Sequence, residues 1–229
     1  QKLGLPDGRL KEALTRIVKG TEPTQTQFHN LSQAILPILQ RETLRREDPA
    51  QAAGMALKTR NNPWGAEITT LWKIQADTQH DYFHLLCSDS NSGKLAGHIL
   101  KEYLQNVWGA SLDRISIKAV PDLKPCPDDL ADAKKGLESL AGEVSTLLAQ
   151  WQATTPAWRF VISGGFKSVI PVLTWFALAY DIPLEYIFED SEHPIRDLTP
   201  KLDTAARNVL VKELKRLFPN ATLPPKLSI

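Results

Sequence analysis

Apolar and polar positions set two rhythms along this chain. Over the first third they recur at helical spacing, from Arg9 to Lys19, from Leu31 to Arg46, from Pro49 to Lys58 and, after Pro63-Trp64-Gly65, from Ala66 to Ile74. From there strand and helix patterns alternate. Tyr82 to Cys87 reads as a buried strand, Lys94 to Trp108 as a helix, Arg114 to Val120 as an alternating strand, and Asp128 to Trp151 as a long amphipathic helix. Trp158 to Ile162 is a third strand, an apolar helix follows Lys167, Leu184 to Phe188 is a fourth strand, and a basic helix from Thr204 to Leu217 ends the series. Strands separated by helices predict an α/β fold: a Rossmann-like, mostly parallel sheet with helices on both faces and a helical N-terminal portion. The expected division is 1–62 for that helical portion, 63–200 for the Rossmann-like core and 201–229 for a short C-terminal helix and tail.

In such a sheet, ligands collect outside the carboxyl ends of the strands. Two loops there carry the candidate chemistry. Ser163-Gly164-Gly165-Phe166-Lys167-Ser168 joins a strand to a helix. A helix N-terminus presents unpaired N–H groups and partial positive charge, paired glycines let an anion approach the backbone, and Lys167 adds an ammonium one step into the helix. The segment reads as a phosphate-binding corner. It is not a Walker A loop, because Phe166 and Val161 stand where that motif needs glycine, and it lacks the third glycine of a dinucleotide fingerprint. A tight turn with Lys167 in solvent also fits these residues. The second loop, Ser88-Asp89-Ser90-Asn91-Ser92-Gly93, offers small polar groups to ribose, phosphate or base edges and equally fits a helix N-cap cluster. If their strands are neighbours, one pocket receives both loops.

Composition narrows the ligand. The 229 residues are enough for one sizeable α/β core. Lys and Arg number 27 against 26 Asp and Glu, so there is no global basic field, no long nucleic acid is expected as a partner, and an anion must be held locally. Cys87 and Cys126 give neither a disulfide framework nor metal-ligand spacing and fit reduced thiols. The longest apolar run, Val169 to Tyr180, falls short of the roughly 20 residues that cross a bilayer, and no signal peptide opens the chain. The expectation is a cytoplasmic protein with no membrane partner. His80 and His84 fall four apart in a strand-like run, about 13 Å from one another, and do not share a metal. His29, His98 and His193 are isolated, Glu67 and Glu189 are single carboxylates near element ends, and the six tryptophans lie largely on apolar faces. No metal site and no cofactor are expected.

Five pieces in order carry a resemblance: Trp64-Gly-Ala-Glu-Ile, His84-Leu-Leu-Cys-Ser-Asp-Ser-Asn-Ser-Gly, Lys135-Gly-Leu-Glu-Ser-Leu, Ile162-Ser-Gly-Gly-Phe-Lys-Ser and Glu185-Tyr-Ile-Phe-Glu. Together they resemble the CRISPR-associated Rossmann-fold (CARF) domain, and within it the stand-alone group that includes ring nucleases of type III CRISPR systems. The resemblance implies a homodimer that binds a cyclic oligoadenylate, of four or six nucleotides, across its two-fold axis. It also implies metal-independent cleavage, in which a ribose 2′-hydroxyl attacks the adjacent phosphorus and leaves a linear product with a 2′,3′-cyclic phosphate, ending the signal. Carried onto this chain, Lys167 and Ser163 become the catalytic candidates. Gly164, Gly165, Phe166 and Ser168 line the phosphate, and Ser88, Asp89, Ser90 and Gly93 face ribose or adenine. One departure stands out: the family's first strand, which ends in a Gly-Thr-Ser type loop, is not found. Either it precedes Gln1 or this member has lost it, which would spare binding and put catalysis in doubt. The rival reading is a sensor that binds the ring without cleaving it and regulates an effector, and 201–229 is too short to be a nuclease effector of usual size. A third is an unrelated nucleotide-binding α/β enzyme.

Overall fold

Strand and helix alternate as β1 (Phe83–Ser88), α1 (Asn91–Asn106), β2 (Ile115–Val120), α2 (Leu130–Trp151), β3 (Phe160–Val161), α3 (Ile170–Tyr180), β4 (Leu184–Glu185) and α4 (Thr204–Leu217). This is a computed structural model, and it describes residues 26, 30, 31, 33, 35–37, 67, 68, 70, 71, 74–125, 127–151, 157–164, 167–186 and 198–224. Residues 31, 33, 35–37, 67, 68, 70 and 71 are helical, as their spacing predicts, and so are residues 26 and 30, which precede the predicted start at Leu31. The helices expected at Arg9 to Lys19 and Pro49 to Lys58 lie outside the described residues. So do His29, Trp64, Trp72, Cys126, Gly165, Phe166, Glu189 and His193.

The fold is α/β, with short parallel strands. β3 and β4 run parallel, Phe160 opposite Leu184 and Val161 opposite Glu185. In the pair β1–β2, His84 meets Ser116 and Cys87 meets the Lys118 carbonyl, contacts that advance in the same sense along both strands. Among the described residues the strands form two two-stranded sheets, β1–β2 and β3–β4, where the pattern predicts one ladder. A hydrophobic pattern says which segments extend and which face they bury; it does not say which edges meet.

The chain divides into two compact units, Gln1–Thr69 with Gln75–Ala119, and Thr70–Ile74 with Val120–Ile229. In the first, α1 lies close on its strands because Gly97 has no side chain: a Cβ there would stand 3.3 Å from Ile117 and 3.4 Å from the Cys87 sulfur. The core joins Leu36, Ile68 and Tyr103 to Ile35, Ile99, Leu100, Val107 and Trp108, with the Tyr103 and Trp108 rings edge-on at 5.7 Å.

In the second unit, α2 buries Leu140, Ala141, Val144 and Leu148 along one stripe. Gly136 crosses the turn after β2 so closely that a Cβ would stand 2.6 Å from the Asp122 carbonyl oxygen, so the Lys135-Gly136 piece has a packing reason of its own. α3 packs against α2 and α4. It ends at Asp181, which takes the left-handed conformation (φ 58°) and whose carboxylate pairs with Arg207 at 2.9 Å and Lys201 at 3.6 Å. Beside β4, the Leu198 N–H donates to the Leu184 carbonyl, while the buried Thr199 hydroxyl donates to the Ile182 carbonyl (2.8 Å) and accepts from the Leu184 N–H (3.1 Å). The Tyr180 hydroxyl, pushed up to about 12 by burial, donates to the Pro224 carbonyl at 3.2 Å and ties down the tail.

Candidate functional site

Both loops singled out in the sequence follow strands and lead into helices, one in each unit. In the first unit β1 ends at Ser88, and Ser90 caps α1, its hydroxyl accepting the Gly93 N–H at 3.1 Å. The Ser88 and Ser90 hydroxyls are 2.8 Å apart and those of Ser90 and Ser92 3.1 Å apart, so three hydroxyls form one hydrogen-bonded file. Gly93 is required by this arrangement, because a Cβ would fall 2.0 Å from the Ser88 Oγ and 2.9 Å from its carbonyl oxygen. The structure thus brings together Ser88, Ser90 and Gly93. Asp89 points elsewhere in function: its carboxylate pairs with Lys94 at 2.9 Å. Lys94 is a cation the sequence reading missed, since only the folding of the loop around Gly93 brings positions 89 and 94 together. The neighbouring thiol of Cys87 is pushed up, chiefly by burial, with Lys94 acting against the shift, which makes it a poor nucleophile.

In the second unit the Phe160 N–H donates to the Pro183 carbonyl and the Ile162 N–H to the Glu185 carbonyl, holding the exit of β3 against β4. Ser163 and Gly164 turn away from the strand, both half-buried. Gly165 and Phe166 lie outside the described residues. Lys167 and Ser168 stand exposed in the 3₁₀ turn Lys167–Val169, which runs directly into α3 with Pro171 in its first turn. No acidic residue occupies that first turn. A lysine there opposes the helix macrodipole, an arrangement that favours the helix only when an anion neutralises it. The chemistry available at this corner is charge stabilisation by Lys167 with hydroxyls from Ser163 and Ser168 nearby in the chain.

Sequence reading treated Glu185 only as part of a motif. In the structure it is a buried carboxylate, 5 % exposed, opposite Val161 in the β3–β4 ladder. The signal available in the sequence was a lone acid in an otherwise apolar strand pattern. A second unanticipated pair, the His84 Nδ1 and Ser116 Oγ at 2.7 Å, lies at the amino end of β1 and β2, away from the Ser88 corner. Burial holds this imidazole below its ordinary range, so it pairs with Ser116 as a neutral ring. His80 is occupied by the Asp77 carboxylate at 2.8 Å. Among the described residues no three His, Cys, Asp or Glu side chains gather as metal ligands, and no helix is long and apolar enough to cross a membrane.

Residues 62–196 match the model of a family described as CRISPR-associated protein (Cas_APE2256), a span that holds β1 to β4, both corners and Glu185. No curated protein matches the chain.

Proposed function

Because the chain belongs to the CRISPR-associated protein family Cas_APE2256, we propose that it binds a cyclic oligoadenylate between two copies of itself and opens the ring. The observation that carries this reading is Lys167, exposed at the head of α3 directly beyond a parallel strand, with no acid in the first turn to neutralise it. A ring of four or six identical nucleotides contains a two-fold axis, so two copies of one corner grip it symmetrically.

The reaction needs little from the protein beyond alignment and charge. A ribose 2′-oxygen attacks the neighbouring phosphorus, the bond from phosphorus to the 5′-oxygen breaks, and the 2′ proton leaves as the 5′-oxygen gains one. The protein holds the attacking and leaving oxygens in line and offsets charge on the phosphoryl oxygens. Lys167 supplies that charge. Ser163, Ser168 and the backbone of Gly164, Gly165 and Phe166 hold the phosphate.

The test is incubation with cyclic tetra-adenylate and cyclic hexa-adenylate in EDTA. The expected products are linear oligonucleotides bearing 2′,3′-cyclic phosphates, identified by mass, and Lys167→Ala should slow their formation by at least about 100-fold. A ring that is bound tightly but stays closed would replace cleavage with sensing. Binding of mononucleotides and neglect of both rings would remove the reading altogether.

A further inference from the structure

The β1–β2 pair has one face against α1 and one turned away from it. A Cβ at Gly97 would meet the side chains of Cys87 and Ile117, so those two positions face α1. Side chains alternate along a strand, which sends His84 and Leu86 of β1 and Ser116 and Lys118 of β2 to the other side. Ser116 and Lys118 are exposed there, whereas Ile115 is buried and Ile117 and Ala119 are half-buried. Just before the strands the Arg114 guanidinium lies 4.8 Å over the Tyr82 ring. The face therefore reads, row by row, Tyr82 with Arg114, His84 with Ser116, then Leu86 and Lys118.

In the middle row the His84 Nδ1 and the Ser116 Oγ stand 2.7 Å apart, within reach for proton transfer between a hydroxyl and an imidazole. The half-buried ring is held neutral, as a general base must be. In the tautomer that carries its hydrogen on Nε2, it accepts the serine hydroxyl at Nδ1. Stability alone gives little reason for the pair: backbone hydrogen bonds already join β1 to β2, and water competes for a bond at an exposed hydroxyl. Exposure does give access. A reactant reaches the Ser116 oxygen from solvent, Tyr82 and Leu86 border His84 along the chain with apolar surface, and Lys118 carries positive charge two residues on, about 7 Å along the strand, where it favours negative charge on a reacting oxygen.

The geometry points to a reactive site separate from the Lys167 corner, in which Ser116 is a nucleophile that accepts an acyl group from a carboxylic ester, with His84 as its general base. The Ser116 oxygen bonds to the carbonyl carbon as its proton passes to the His84 Nδ1. The bond from that carbon to the ester oxygen then breaks, and the leaving oxygen takes the proton from His84. The products are an alcohol and acyl-Ser116, and water repeats the exchange to free the acid. An ester suits such a pair, because its oxygen leaves more readily than the nitrogen of an amide.

The experiment follows nitrophenolate release from p-nitrophenyl acetate by the whole chain, with circular dichroism to show that each variant is folded. Wild type should release it faster than Ser116→Ala, and that excess should fall by at least about 100-fold in His84→Gln. A hydrogen bond that only fastens the two strands would leave release equal in wild type and Ser116→Ala, and that result overturns the proposal, as does undiminished release in folded His84→Gln. Where a variant fails to fold, peptide mass mapping of acid-quenched wild type decides. Acetyl on Ser116 in preference to Ser111, an exposed serine whose hydroxyl donates to the Asp113 carboxylate and not to an imidazole, supports the assignment. An even spread, or none on Ser116, overturns it and leaves the reading of the Lys167 corner untouched.

Discussion

His84 pairs with Ser116 across the two strands of the first unit, and its environment fixes its protonation. Burial holds the ring below its ordinary value of 6.5; His98 on α1 is held down in the same direction, first by burial and then by Lys101, with Glu102 opposing. In the unfolded chain both rings bind protons more readily than in the folded one. The stability they contribute is therefore complete above about pH 6.5 and is lost as the pH falls below it, because the proton binds the unfolded chain first. The expected outcome is a melting temperature that drops between about pH 7.5 and about pH 5.5, with a smaller drop in His84→Gln, which retains an acceptor for the Ser116 hydroxyl but does not titrate. Thermal unfolding across that range checks it, and an equal slope for both proteins would count against the role given to His84. None of this was legible in the sequence, where His84 was merely one of two histidines four apart. A cross-strand partner 32 residues away is supplied by register, which no local pattern states.

β4 is the element whose existence the sequence told and whose setting it did not. Leu184 to Phe188 read as a strand because apolar residues dominate it, and the described ladder covers Leu184–Glu185. The segment at Leu198 and Thr199 carries no strand pattern, yet its backbone and hydroxyl satisfy Ile182 and Leu184 beside that strand. Edges of short strands need such cover, because unpaired peptide groups shut away from water are costly. Thr199→Val keeps the shape and removes both hydrogen bonds, leaving the Ile182 carbonyl and the Leu184 N–H without that partner. The expected loss is about 1–3 kcal/mol, read from denaturant midpoints. A midpoint unchanged from wild type would mean that these groups find water or other partners at no cost. Helices were more legible than strands. α4 spans the residues its pattern predicts, and α1 begins three residues before the pattern does, because Ser90 rather than the first apolar position sets the start.

At the scale of the molecule, charge and symmetry decide what kind of binding is possible. With 27 cationic and 26 anionic side chains, the chain has almost no net charge, so any affinity for a phosphodiester would have to come from a few groups at contact distance. That much was legible from composition, and the strand before Ser163 and the helix after Lys167 were legible from the pattern. The buried carboxylate at Glu185 and the Lys94–Asp89 pair were not, since both depend on which side chains the turns bring together. One chain carries one Lys167, whereas a ring of identical nucleotides repeats every contact it offers. A single copy would grip one phosphate and leave its symmetry mate in water. In the proposed complex, two copies related by the ring's own two-fold axis would double the charge and the hydroxyls at no cost in new design, and by linkage the ring would stabilise the pair. Calorimetric titration should therefore saturate at one ring per two chains, and sedimentation at low protein concentration should shift toward the dimer when ring is added. Saturation at one ring per chain, with no change in sedimentation, would show that a lone copy encloses the ligand and that the two-fold argument does not apply to this protein.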